Sequence, residues 1–127
     1  MLKLENITRQ SQRAKEFFED KLAFTLGPVE LKELMENERN SIEIIDVRKK
    51  EHYESGHLPS AMSIPGKEIE MQLNNLSKDK INIVYCYSQQ CHLGAKIALI
   101  LVEKGYPVME LEGGFNEWKN KDFDVVS

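Results

Sequence analysis

The sequence predicts an α/β fold in which a central, mostly parallel sheet lies between layers of helices. Short runs rich in β-branched residues alternate with segments whose apolar residues recur at helical spacing, a pattern typical of parallel sheets with helical crossovers. The chain has 127 residues with no internal repeat or linker, which is long enough for one domain with its own core. We expect this domain over residues 23–127, preceded by a helical extension over residues 1–22.

The first third of the chain predicts a helix, a strand and a second helix. Residues 13–22 place three apolar side chains on one side of a helix, with charged residues opposite. These side chains are Phe17, Phe18 and Leu22. We expect them to pack on the domain; the alternative is an arm that docks a partner chain, such as a second copy in a homodimer. Residues 23–26 predict a short strand, and Pro28 begins a helix that ends near Asn37.

The rest of the chain continues the alternation. The predicted elements are a buried strand over Ile42–Val47, a weaker strand over Ala61–Ile64, helical turns within Glu68–Leu73, a strand over Ile81–Tyr85, a mostly apolar helix over Leu93–Lys104, a strand over Pro107–Leu111 and a final helix holding Phe115 and Trp118. Gly105 ends the long helix as a normal C-terminal cap residue, and Gly113 and Gly114 form a hinge into the final helix. Trp118 is expected in the core.

Composition and charge exclude several function classes. The net charge is −4, from 17 basic and 21 acidic residues that are interspersed, so no basic stripe suits a nucleic acid. The longest apolar run, Ile97–Val102, is too short to span a bilayer. Residues 1–6 lack the features of a signal peptide, and two cysteines five positions apart suit a reducing compartment, so we expect a cytoplasmic protein.

Cys86 is the first candidate for chemistry, because it directly follows a predicted buried strand and precedes a long helix. Reactive groups of parallel sheets lie at the carboxyl ends of strands. A loop there can point N–H groups inward, and the next helix adds its positive end, which together favour a nucleophilic thiolate. The alternative is a small buried residue at the end of a strand.

Cys91 and His92 lie at the far end of the same loop. Cys91 could attack a persulfide or disulfide on Cys86, and His92 could supply a proton or positive charge. Alternatively, Cys91 packs under the loop and His92 is solvated. No second pair of ligands with zinc spacing exists, so we expect neither a metal site nor a cofactor.

Four motifs in order resemble those of the rhodanese family, over roughly Phe24 to Lys119. Ile44-Ile45-Asp46-Val47-Arg48 looks like its Asp-x-Arg segment. Gly56-His57-Leu58-Pro59-Ser60-Ala61 is similar to its Gly-His-Ile-x-Gly-Ala signature, with Ser60 in place of the usual glycine. Cys86 matches its catalytic cysteine, and Gly113-Gly114-Phe115-Asn116-Glu117-Trp118 resembles its closing Gly-Gly-aromatic-x-x-Trp motif.

This resemblance implies the rhodanese three-layer sandwich, with a mostly parallel sheet and helices on both faces. It implies transfer of sulfane sulfur through a Cys86 persulfide, from a donor (thiosulfate, polysulfide, or a small or protein-bound persulfide) to a thiol or cyanide. Asp46 and Arg48 would form a supporting charged pair. The substrate-binding loop would comprise Tyr87, Ser88, Gln89, Gln90, Cys91 and His92. Many rhodaneses carry basic residues in this loop; here Arg and Lys are absent from it, which weakens the case for thiosulfate.

Other readings of the same residues stay open. Phosphatases that share this fold need a loop arginine to grip phosphate, and His92 and Leu93 stand where it would be expected. A rhodanese-like module without catalysis could bind a partner. A thiol-disulfide switch could use Cys86 and Cys91.

Overall fold

The computed structural model describes residues 3–127 and contains a five-stranded sheet with every strand parallel to its neighbours. The strands are β1 (Thr25–Leu26), β2 (Ile42–Asp46), β3 (Met62–Ser63), β4 (Ile81–Tyr85) and β5 (Val108–Leu111). Their order in space is β1-β5-β4-β2-β3, so β4 is the central strand. The predicted parallel sheet and α/β class are confirmed.

Six α-helices precede, connect or follow the strands of the described part of the chain. They are α1 (Lys3–Thr8), α2 (Ser11–Phe24), α3 (Pro28–Asn37), α4 (Lys50–Ser55), α5 (Leu93–Glu103) and α6 (Gly114–Asn120). Two 3-10 helices cover Arg39–Ser41 and Gly66–Asn75, the second with a kink at Gln72. None of the helices within residues 3–127 is long and apolar enough to cross a membrane.

The sheet has a separate apolar core on each face, because successive side chains of a strand point to opposite sides. On one face, Ile44 and Ile83 pack with Leu31 of α3 and Trp118 of α6. On the other face, strand residues pack against α5 and the second 3-10 helix. That second core includes Ile45, Val84, Cys86, Ile97, Leu101 and Ile69. The predicted helices on both faces, and the burial of Trp118, are therefore confirmed.

The N-terminal extension differs from its prediction in two ways. Helix α2 runs through Phe24, so the strand predicted for residues 23–26 keeps only Thr25 and Leu26. The Thr25 hydroxyl bonds the carbonyl of Lys21 and continues the helical hydrogen bonding past the end of α2. The first two residues of the extension lie outside the described range.

The expectation that the apolar side of this extension packs on the domain is wrong. Phe17 is 61% exposed and Leu22 is 79% exposed, and none of the residues of α2 is buried. The helix is joined to the sheet at its end, where the Lys21 ammonium lies 2.7 Å from the Glu112 carboxylate. The aromatic pair of Phe17 and Phe18, with ring centroids 5.1 Å apart, faces solvent.

The backbone conformation of Ser60 gives a physical reason for the glycine that the Gly-His-Ile-x-Gly-Ala signature ordinarily has at this position. Its φ angle is +69°, in the left-handed region that glycine adopts without strain. Its hydroxyl accepts a 2.5 Å hydrogen bond from the Arg39 guanidinium, which offsets part of that strain.

Candidate active site

The loop over residues 86–92 leaves the carboxyl end of the central strand β4 and enters α5. It is held down by the start of α6: the amide of Phe115 donates to the Cys86 carbonyl (2.9 Å), and the amide of Asn116 donates to the Tyr87 carbonyl (2.9 Å). On its outer side, Gln89 accepts a 2.6 Å hydrogen bond from the Gly113 amide. The loop is therefore anchored at both its base and its tip.

Gly114 makes this anchoring possible. Its φ angle is +59°, and a Cβ atom at this position would lie 2.7 Å from the Cys86 carbonyl oxygen and 3.0 Å from the Ser88 amide. The first distance is too short for a Cβ contact and the second is tight, and the atoms met belong to backbone that cannot swing away. Glycine is required here so that α6 can approach the loop, which gives a physical reason for the second glycine of the predicted hinge.

Cys86 and Cys91 share one apolar core under the loop. Cys86 is 4% exposed and belongs to the core on the α5 side of the sheet, while Cys91 is half-buried and packs against that core. A turn closed by the Cys91 amide and the Ser88 carbonyl (3.1 Å) brings Cys91 back toward Cys86.

The backbone N–H groups favour Cys91 over Cys86. The backbone amides of Leu93 and Tyr87 lower the pKa of Cys91, whereas the Tyr87 amide alone lowers that of Cys86. Burial raises the pKa of Cys86 to about 12, and its hydrogen bond to Cys91 and the Asp46 charge act in the same direction. Burial also opposes ionisation of Cys91, but the hydrogen bond from Cys86 and the two amides prevail and lower its pKa.

The surroundings of the loop therefore oppose ionisation of Cys86 and favour ionisation of Cys91. This differs from the prediction that the loop amides keep Cys86 ionised. The physical reason is burial, which raises the pKa of Cys86 more than the Tyr87 amide lowers it.

Glu110 adds a carboxylate to this site that the sequence pattern did not reveal. It lies on β5, and its Oε2 is 2.6 Å from the position that a Cβ atom of Gly94 would occupy, at the start of α5. The same position is 3.8 Å from the Cys86 Cβ. Burial and the nearby Glu112 raise the pKa of Glu110, while His92 lowers it. His92 is exposed, so it contributes a distant charge rather than a contact in the site.

Asp46 and Arg48 form the expected charged pair, and it is almost completely buried. The Arg48 Nη2 lies 2.7 Å from the Asp46 Oδ2, and Arg48 Nε donates to both carboxylate oxygens. Arg48 also donates to the Gly56 carbonyl at 2.6 Å and lies 4.1 Å above the Phe115 ring. The pair thus joins β2 to the segment after α4 and to α6.

Tyr85 and Tyr87 extend this network on either side of the strand end. The Tyr85 hydroxyl donates to Asp46 at 2.5 Å and accepts from the Leu58 amide, and burial together with the Asp46 charge raises the pKa of Tyr85. The Tyr87 hydroxyl bonds His52 Nδ1 at 2.6 Å. The sequence predicted Tyr85 only as part of a strand. Its role as a partner of Asp46 could have been inferred from its polar hydroxyl and its position opposite Asp46 on the adjacent strand.

The other predicted loop residues surround the sulfur pair without touching it in a described contact. Ser88 is half-buried and closes the turn, and Gln90 is exposed at the tip. Gln89 and Gln90 are therefore exposed to solvent, while the sulfur atoms of Cys86 and Cys91 lie beneath the loop.

Comparison with known proteins places this site in a family context. The family model of the rhodanese-like domain matches residues 27–121. A solved structure, the BH2092 protein from Bacillus halodurans, has a TM-score of 0.87 and 31% identity and covers 93% of this chain and 87% of its own.

Curated relatives include an HTH-type transcriptional regulator, Rv0324 of Mycobacterium tuberculosis, 31% identical over 86 residues, which are 68% of this chain and 38% of the regulator. The thiosulfate sulfurtransferase GlpE of Coxiella burnetii is 34% identical over 85 residues, which are 64% of this chain and 75% of GlpE. The chain thus spans well under half of the regulator's length, so the matched unit also occurs inside larger proteins.

Proposed function

The chain belongs to the rhodanese-like domain family, and we propose that it is a sulfurtransferase that carries sulfane sulfur as a persulfide on Cys86. The observation that carries this proposal is the placement of Cys86 directly after the central strand, under a loop anchored by α6. The name of the GlpE relative supports the reaction class.

Uptake of sulfur by Cys86 requires that its thiol lose a proton, and we assign Cys91 as the acceptor because its pKa is lowered and it packs against the same core. The Cys86 sulfur attacks the outer sulfur of the donor and forms a new S–S bond, while its proton passes to Cys91. The S–S bond of the donor breaks, and its remainder leaves as a thiolate or, from thiosulfate, as sulfite. This splits the transfer into two steps with a covalent intermediate.

Delivery of the sulfur reverses these events. A thiolate or cyanide ion attacks the outer sulfur of the Cys86 persulfide, and Cys86 leaves with the bonding electrons. Cys91 then returns the proton, so the pair ends in its starting state. The predicted cytoplasmic location fits this cycle, because a reducing compartment supplies thiol acceptors.

The charges around the loop favour a persulfide or polysulfide donor over thiosulfate. Residues 87–92 contain no Arg or Lys, and the Glu110 carboxylate lies behind the loop at the start of α5. A dianion would meet Glu110 without a lysine or arginine of this loop to neutralise it. Donors with a single charge, on a small molecule or a carrier protein, suffer less repulsion.

The test is sulfur transfer to cyanide, measured as thiocyanate, with a small persulfide, a polysulfide and thiosulfate offered in parallel. Cys86→Ser should lower the rate at least about 100-fold, since serine cannot form the persulfide. Cys91→Ser removes the proposed proton acceptor but keeps Cys86, so it should take up one sulfur atom more slowly than the wild-type chain, seen by intact mass.

Persistence of most of the activity in Cys86→Ser would overturn the assignment of Cys86. A wild-type chain that takes up no sulfur from any of the three donors would instead be a binding module. Circular dichroism of both variants checks that the fold is retained.

A further inference from the structure

Helix α2 is the longest α-helix of the described part of the chain, yet it buries none of its 14 residues. Its large apolar side chains, Phe17, Phe18, Leu22 and Phe24, are each more than half exposed. Its first turn has no side-chain cap. A helix of this length is marginal in water unless another surface packs against it, and exposed apolar side chains that lie together mark an interaction site. A surface outside this chain is therefore expected to cover α2.

The charges of α2 are ordered against its own dipole. Arg13 and Lys15 lie near its N-terminal end, whereas Glu19 and Asp20 lie toward its C-terminal end. A helix dipole favours the opposite order, with acidic residues first and basic residues last. Lys21 is the exception, and it is used in the contact with the sheet. In the described part of the chain neither Arg13 nor Asp20 forms an ion pair, so the helix alone does not explain this order.

We propose that α2 packs antiparallel against α2 of a second copy of this chain, so that the protein forms a symmetric dimer through this helix. The inference is independent of the proposed sulfur chemistry, because α2 holds none of the residues of the candidate active site. It commits the exposed side of α2 to one occupant, which the charges of the helix select.

The spacing of the charges fits an antiparallel pair. Arg13 and Asp20 are seven residues apart, so they lie on the same side of α2 about two turns from each other. A two-fold axis close to Phe17 would bring Arg13 of each copy opposite Asp20 of the other. Lys15 and Glu19, which pair within the chain at 3.0 Å, are centred on the same residue and would also meet their opposite charges across the axis. A parallel pair would instead place like charges opposite each other.

The same axis places aromatic side chains at the centre of the contact. The rings of Phe17 and Phe18 already lie edge to face, with centroids 5.1 Å apart, and Leu22 follows one turn later. The base of the helix is held in place, because the Lys21 ammonium lies 2.7 Å from the Glu112 carboxylate. Two helices of about 21 Å form a small contact, so the dimer is expected to depend on protein concentration.

The experiment is sedimentation equilibrium of the full chain over concentrations from about 5 to about 500 μM. The wild-type mass should rise from the 14.7 kDa of one chain toward twice that value. Phe17→Ser and Arg13→Asp should each move the midpoint of dimerisation to a concentration at least about tenfold higher. Arg13→Asp combined with Asp20→Arg exchanges the two charges within each chain, and it should restore the wild-type midpoint.

Glu36→Gln is the matched control. It breaks the exposed Lys32–Glu36 pair on α3, 3.5 Å long, and should leave the midpoint unchanged. Circular dichroism checks that each variant keeps its fold.

The outcomes separate the parts of the inference. Dimerisation that is weakened by both single changes and restored by the exchange establishes the antiparallel contact. A wild-type chain that stays at 14.7 kDa throughout overturns the dimer, and a dimer that tolerates Phe17→Ser overturns α2 as its contact. Tolerance of Arg13→Asp, or no restoration by the exchange, overturns the antiparallel order. Each of these results leaves the proposed sulfur transfer untouched.

Discussion

Two pairs of side chains leave neighbouring strands at the same edge of the sheet, and they are bonded very differently. Asp46 ends β2 and Arg48 follows it, and the Asp46 carboxylate is saturated by hydrogen bonds from Arg48 and the Tyr85 hydroxyl. Cys86 and Cys91 follow β4, and their surroundings act on the two pKa values in opposite directions. The difference suggests that a fully bonded pair fixes structure, whereas a pair with few partners is left free for the chemistry that we propose.

The largest effect on stability should come from breaking the buried pair of Asp46 and Arg48. Asp46→Asn removes the negative charge beside a buried guanidinium, and loss of one partner of a buried pair costs about 3–5 kcal/mol in the free energy of unfolding. Urea denaturation measures the change. Glu19→Gln is the control, because it breaks the exposed Lys15–Glu19 pair and should cost below about 0.5 kcal/mol. Equal losses in both variants would contradict the structural role assigned to Asp46.

The second largest effect should come from disturbing the close approach of α6 to the loop that begins at Cys86. Gly114→Ala adds a Cβ atom 2.7 Å from the Cys86 carbonyl in a left-handed conformation, and we expect a loss of about 2–3 kcal/mol with slower sulfur transfer. Gly27→Ala is the matched control, since its Cβ atom would meet its nearest neighbour, the Glu30 carboxylate, at 3.7 Å. A fully active and stable Gly114→Ala chain would show that the close approach of α6 is dispensable.

The pH dependence of the sulfur pair sharpens the comparison further. The Cys91 pKa is lowered and the Cys86 pKa is raised to about 12, so Cys91 should ionise first as pH rises and Cys86 only in strong alkali. In Cys91→Ser the influences of Cys91 that raise the Cys86 pKa are lost, and the Cys86 pKa should fall. Carbon-13 NMR of the cysteine Cβ atoms follows both titrations. The opposite order of ionisation would reverse the roles proposed for the two thiols.

The smallest effect concerns the rim of the loop. Tyr87→Phe removes the hydrogen bond to His52 but keeps the ring beside the Arg48 guanidinium, 5.7 Å from its centroid. We expect a loss of about 0.5 kcal/mol in stability, because a partly exposed hydrogen bond contributes little net free energy. Thermal unfolding measures it, with wild-type rates of sulfur uptake expected. A drop in uptake comparable to that of Cys86→Ser would make the hydroxyl part of the chemistry.

The strands and long helices could be predicted because their signals are local. β4 and α5 follow from β-branched runs and from an apolar helix that ends at Gly105, whose φ angle is +88°. Helix α4 was missed because Lys50–Ser55 is short and charged. Its position is fixed by distant contacts, such as the hydrogen bond from Tyr53 to the Ala61 carbonyl.

Within the site, the residues could be predicted but their electrostatics could not. Cys86, Asp46 and Arg48 follow from position and resemblance. Which sulfur receives the loop amides depends on the path of residues 87–92 in space, and no periodic pattern encodes that path. The approach of Glu110 likewise depends on strand order, because β5 lies beside β4 only in the folded sheet.

The central place of β4 has a consequence for motion at the site. Its backbone pairs with β2 on one side and β5 on the other, so its amides should be among the last to exchange with deuterated solvent, together with the segment that carries Cys86. Gln89 and Gln90 at the exposed loop tip should exchange early. We therefore expect a bulky donor to be accommodated by displacement of the exposed residues at the loop tip. The Cys86 sulfur should stay in place, because β4 holds it.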